Sequence, residues 1–153
     1  MGQTDDVPGT NGAPQYQQKK RWRWSQFTAE ALAAGESLLF SSVRARITSQ
    51  FIPVDMGQIY TVTAETPTSS HARFPTVLIH GFAGGVALWA ANIDDMAKKR
   101  ILHCFDLLGF GRSSRPVFAK DPVLAELQFV QSIENWRKRM GINKMILVGH
   151  SFG

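Results

Sequence analysis

The sequence predicts an α/β protein built on a mostly parallel sheet with crossover helices, and three observations predict it. Three apolar runs have strand length: Thr76 to Ile79, Ile101 to Phe105 and Met145 to Val148. Each is followed at once by a Gly-bearing turn. The first two turns lead into helical stretches, the alternation that a parallel sheet requires because its strands need long crossovers.

Taken in order, residues 1 to about 18 hold, after Met1, only Val7 and Tyr16 as larger apolar groups among Gly, Pro, Gln, Thr and Asn. They cannot repay the entropy of ordering and read as a flexible tail. Lys19, Lys20, Arg21 and Arg23 then flank Trp22 and Trp24 and supply four of the seventeen basic residues, so the net charge of +5 marks a segment rather than a basic domain. Residues 1–24 therefore form a tail with a basic, Trp-bearing arm. Indoles settle at lipid headgroups and basic groups attract anionic lipid, so Arg21, Trp22, Arg23 and Trp24 are candidate contacts to a membrane or lipid-droplet surface. The competing reading is a solvated basic arm. No nucleic-acid-binding motif accompanies it, and nucleic acid is not expected as a partner.

A helical pattern starts at Ser25, a candidate N-cap, with Phe27, Ala31, Ala34 and Leu38 three and four apart and Gly35 weakening the middle. Residues 25–49 are assigned to this segment and 50–153 to the α/β domain. Gln50 to Ala64 alternates around Met56-Gly57 as a β-hairpin does, and Thr66 to Phe74 is polar loop. The helix before the last strand carries the plainest signals. Asp121 can cap it, Pro122 suits its first position, Leu127, Val130, Ile133, Trp136 and Met140 line one side, and Gly141 ends it. Glu134, Arg137, Lys138 and Arg139 read as its solvated side.

Composition excludes several classes. The single cysteine, Cys104, lies in an apolar run, so no disulfide framework exists, buried packing is its expected role and a reducing compartment is implied. Met1 to Pro8 carry Asp5 and Asp6 and no apolar core, unlike a secretory signal. Asp6 also breaks the myristoylation pattern. No apolar stretch approaches the roughly 20 residues of a spanning helix. The expectation is a cytoplasmic protein, soluble or peripheral on membranes or lipid droplets.

Three turns carry the chemistry. Gly149-His150-Ser151-Phe152-Gly153 follows the last strand and fits G-x-S-x-G, where small residues flank a serine held on a strained corner with its hydroxyl exposed. Ser151 is the candidate nucleophile. His80-Gly81-Phe82-Ala83-Gly84-Gly85 follows the first strand. An acyl-transfer site needs two amide donors for the oxyanion, one after the nucleophile and one past this strand, which assigns the Phe152 and Phe82 N–H groups. The turn lacks G-x-G-x-x-G order and a Gly-Lys-Ser/Thr ending, so nucleotide is not expected. Asp106 to Ser114 follows the middle strand, with Asp106 read as a turn-holding residue rather than a triad acid. Of the histidines, His71 lies in a loop, His103 in a strand, and His80 and His150 in the turns, so none is placed as general base. The motifs call for no cofactor and no metal.

In this order the turns resemble the α/β-hydrolase fold. More narrowly, Asp106 to Pro116 (DLLGFGRSSRP), Gly84 to Ala90 (GGVALWA) and Gln128 to Gly149 resemble one subfamily, and the likeness runs from about Ser37 to the end. That subfamily holds the lysophospholipase acting on N-acyl phosphatidylethanolamines and the lipid-droplet co-activator of adipose triglyceride lipase. The resemblance implies the N-terminal half of the fold, cut at the nucleophile elbow, with the triad Asp and His and the acyltransferase-linked His-x-x-x-x-Asp motif beyond residue 153. It implies a serine hydrolase or acyltransferase acting on lipid acyl esters, with this fragment inactive alone. The lipase branch keeps Ser at the elbow and the vertebrate co-activator branch carries Asn, so Ser151 sides with catalysis. The alternative is a non-enzymatic droplet scaffold whose partner is a triglyceride lipase.

Overall fold

The computed structural model describes residues 28–153. The tail, the basic arm with Arg21, Trp22, Arg23 and Trp24, and the Ser25 cap lie outside the described residues. The first described helix, α1 (Ala29–Phe40), is capped by Thr28, whose side chain accepts the Ala31 N–H at 3.1 Å. Its expected apolar stripe does not face the core: Leu38 is 75% exposed, and the one residue α1 buries is Glu36.

β1 (Arg46–Val54) and β2 (Gly57–Glu65) form the hairpin, paired antiparallel from Arg46↔Glu65 to Val54↔Gly57. The first strand thus begins at Arg46, inside the segment assigned to the helical region. β3 (Thr76–Ile79), β4 (Leu102–Phe105) and β5 (Ile146–Gly149) fall within a residue of the three apolar runs. The sheet order is β1-β2-β4-β3-β5, with β3 parallel to both β4 and β5 and β2 antiparallel to β4. All residues of β3 and β4 are buried, as expected of short strands covered on both faces. β5, at the edge opposite β1, is largely exposed, with Leu147 open to solvent.

The β3–β4 connection holds a 3₁₀ turn at Val86–Trp89 and the one-turn α2 (Ile93–Met96). The β4–β5 connection holds α3 (Pro122–Arg139). Its ends follow the sequence: Asp121 accepts the Leu124 N–H at 2.9 Å, Pro122 takes the first turn, and Gly141 sits at φ 68°. Its buried face holds Ile133, Trp136 and Met140 as expected and departs from the expectation elsewhere. Leu127 and Val130 are exposed, while Ser132 and Trp136 are buried and Phe129, Ile133 and Met140 pack beside them. Trp136 fixes this rotation: its ring lies 4.4 Å from Phe105 and its Nε1–H donates to Thr61 Oγ1 at 2.8 Å. A large ring satisfied at its polar edge outweighs two aliphatic contacts.

Candidate active site

The parallel strands β3, β4 and β5 end on one side of the sheet, and the three Gly-bearing turns meet there. Ser151 follows β5 by two residues and has φ 58°, the left-handed region that L residues avoid. The corner closes through the Gly153 N–H, which donates to His150 O at 3.0 Å. It is also tied to β3, since the His150 N–H donates to Ile79 O at 3.0 Å. A side chain at Gly149 would strike the Gly153 carbonyl. A Cβ at Gly81 would stand 2.8 Å from Ser151 Cβ, so the turn after β3 lies directly against the serine.

That turn is held by His80, which is fully buried. The Leu107 N–H donates to His80 Nε2 at 3.0 Å, which leaves the ring proton on Nδ1, and Nδ1 donates to Gly81 O at 2.7 Å. The Gly84 N–H donates to the same oxygen at 3.0 Å. Two donors therefore pin the Gly81 carbonyl. Because no peptide bond among the described residues is cis, the Phe82 N–H in that planar unit points opposite to it.

Asp106 joins the other two turns. Its Oδ1 accepts the Val86 N–H and its Oδ2 the Arg112 N–H, each at 2.7 Å. Burial pushes its carboxyl above the ordinary range, against the pull of those amides. Ser113 completes the clamp, donating to Asp106 O at 2.6 Å and accepting the Tyr60 N–H at 2.8 Å.

Phe82 and Phe152 have exposed side chains, and both approach Phe110, with ring centroids 5.6 Å and 6.4 Å away. The row continues from Phe152 to Phe129 at 5.7 Å and from Phe129 to Phe118, stacked at 4.2 Å. Sequence reasoning missed Phe110, Phe118 and Phe129, which lie in three separate stretches with no common motif.

The matching family model carries the description alpha/beta hydrolase fold and covers residues 75–153, more than half of the sequence. The chain belongs to the α/β-hydrolase fold family. Among curated relatives, the human (lyso)-N-acylphosphatidylethanolamine lipase is 46% identical over 119 residues, covering 77% of this chain and 34% of the relative. The human 1-acylglycerol-3-phosphate O-acyltransferase ABHD5 is 56% identical over 81 residues, covering 53% of this chain and 23% of the relative. The hydrolase-fold chain thus spans about a third or less of the length of these two relatives. The naproxen esterase of Bacillus subtilis superposes with a TM-score of 0.66 at 21% identity, covering 82% of this chain and 40% of the esterase. A bacterial membrane phospholipase A gives 0.64 at 23%, covering 82% and 37%, and both likenesses concern the fold.

The four histidines of this hydrolase-fold chain have other attachments. His71 Nε2 lies 3.4 Å from Glu65, His80 is committed at both nitrogens, and His150 sits edge-on to Trp89 at 6.4 Å. His103 lies in β4 with Nδ1 2.9 Å from Thr63 Oγ1, and burial lowers its pKa to about 4. Folding thus favours neutral His103. Its contribution is complete above the unfolded value near 6.5 and is lost as pH falls from there toward 4, because the unfolded chain binds the extra proton. Replacing His103 by Gln is expected to remove about 2–3 kcal/mol of the stability difference between pH 7 and pH 4, read from urea midpoints at both values. An unchanged difference would refute the assignment. No helix among the described residues is long and apolar enough to cross a membrane.

Proposed function

We propose that this chain carries the nucleophile and oxyanion donors of a lipid-directed serine hydrolase or acyltransferase acting on acyl esters of (lyso)glycerophospholipids. The observation that carries it is Ser151 at φ 58° with Gly81 against its Cβ, a serine on a strained strand-end corner beside a pinned amide. Ser151 Oγ attacks the ester carbonyl after losing its proton to a general base that is not among the described histidines. The Phe82 and Phe152 N–H groups receive the charge that develops on the carbonyl oxygen. Collapse expels the lysolipid alcohol and leaves an acyl-serine, which water resolves in hydrolysis and a second lipid alcohol resolves in transfer. His80 acts as a positioning residue, since the carbonyl it grips sets the direction of the Phe82 N–H. The lipid class is supported by the phenylalanine row leading away from the serine and by the names of the two human relatives.

The test is fluorophosphonate labelling of the protein as its gene encodes it, followed by peptide mapping. The adduct is expected on Ser151, with labelling slowed by excess lysophospholipid. A folded protein that never labels would overturn the reading. A second reading, the non-enzymatic droplet scaffold that activates a triglyceride lipase, is favoured by the arm with Arg21, Trp22, Arg23 and Trp24. It would be upheld by a protein that does not label, yet loses its lipid droplets and its effect on the lipase when Trp22 and Trp24 are both replaced by Ala.

A further inference from the structure

A surface helix ordinarily docks by an apolar stripe. α1 does not: the residue it buries is Glu36, 8% exposed, while Leu32, Leu38 and Leu39 remain open to solvent. A carboxylate held that dry requires partners, and it has two. The Tyr60 hydroxyl on β2 donates to Glu36 Oε1 at 2.5 Å, and Arg112 Nη1 donates to the same oxygen at 3.1 Å. The Arg112 guanidinium lies 4.1 Å over the Tyr60 ring and 5.8 Å from that of Phe51. Glu36, Phe40, Tyr60 and Arg112 border a cavity of about 340 Å³ beside α1. The polar cluster therefore holds this part of the helix where packing is incomplete.

Arg112 is also a site residue by its backbone. Its N–H is one of the two amides on Asp106, and the other is Val86, at the start of the 3₁₀ turn that follows Gly84-Gly85. A continuous path of charge-assisted bonds thus runs from Glu36 through Arg112 and Asp106 to the back of the turn that bears Phe82.

We propose that Glu36 and the Arg112 side chain are positioning residues, a latch through which α1 holds the turn after β4, and with it the oxyanion turn, in register with Ser151. A buried ion pair adds little net stability over an apolar pair, so its use here is to fix one arrangement. This rests on the oxyanion reading above, and the experiment separates the two.

In the protein as its gene encodes it, Glu36→Gln keeps an acceptor for Tyr60 and removes the ion pair, and Arg112→Gln removes it from the other side. Each is expected to slow fluorophosphonate labelling of Ser151 and to lower kcat about tenfold with KM changed less than about twofold. The double variant is expected to be no worse than either single one, as members of one linkage are non-additive. Hydrogen exchange at the Arg112 and Val86 amides is expected to speed up about tenfold in both single variants. That readout needs no catalysis. Unmodified protein that does not label, with exchange accelerated as stated, would sink the oxyanion reading and leave the latch standing. Unchanged exchange at both amides, or additive kinetic losses in the double variant, would overturn the latch.

Discussion

Ser151→Gly is expected to stabilise the protein while abolishing its chemistry. At φ 58° a residue with a Cβ bears about 1–2 kcal/mol of conformational cost that glycine does not. Part of that gain is offset, because glycine gives the unfolded chain about 0.5–1 kcal/mol more freedom. The net expectation is a gain of about 0.5–1 kcal/mol, read as a higher urea midpoint with unchanged slope. In the protein as its gene encodes it, and on the function proposed above, removing the hydroxyl is expected to lower ester turnover at least about a thousandfold, since the remaining donors can only polarise the carbonyl. Ser151→Ala is the control: it loses the same chemistry and gains no stability, because its Cβ keeps the strain. A glycine variant less stable than the alanine one would show that the corner is not strained, and the nucleophile assignment would lose its main support.

Asp106→Ala is expected to cost about 3 kcal/mol of stability and most of the activity. The substitution strands the amides of Val86 and Arg112, each bonded at 2.7 Å, and a buried donor left unpaired costs about 1–3 kcal/mol. Against this stands the relief of no longer burying a carboxyl, the effect that raises the Asp106 pKa. The relief does not restore the two donors, so the loss prevails. Asp106→Asn keeps one acceptor and turns an amide group toward the second donor, so it should recover only part of the deficit. A loss below about 1 kcal/mol for the alanine variant would mean that water replaces the carboxylate and that Asp106 is not the clamp.

The readability of this chain follows the range of the forces involved. β3 and β4 and their turns stood out in the sequence because a short buried strand needs an unbroken apolar run and its exit needs glycine, and β5 shows the same pattern although it is largely exposed. The caps of α3 were legible for the same local reason, since Asp121 and Pro122 act within one turn of the helix. The role of Asp106 followed from turn chemistry. What could not be read was decided across the fold. Glu36 carried no local signal of its role because its partner Arg112 lies 76 positions away. On α3 the burial of Ile133, Trp136 and Met140 was legible but the exposure of Leu127 and Val130 was not, because Trp136 is oriented by Thr61, 75 positions distant, rather than by its helical neighbours. Placement of β4 between β2 and β3 left no trace in any single segment.

The dihedral angle of residue 151 also bears on descent. Asparagine and glycine are the residues most at ease where this backbone stands. An amide side chain in place of the proposed nucleophile would suit the same backbone conformation. At this one position, the backbone that descends with the fold does not depend on the reaction proposed for it.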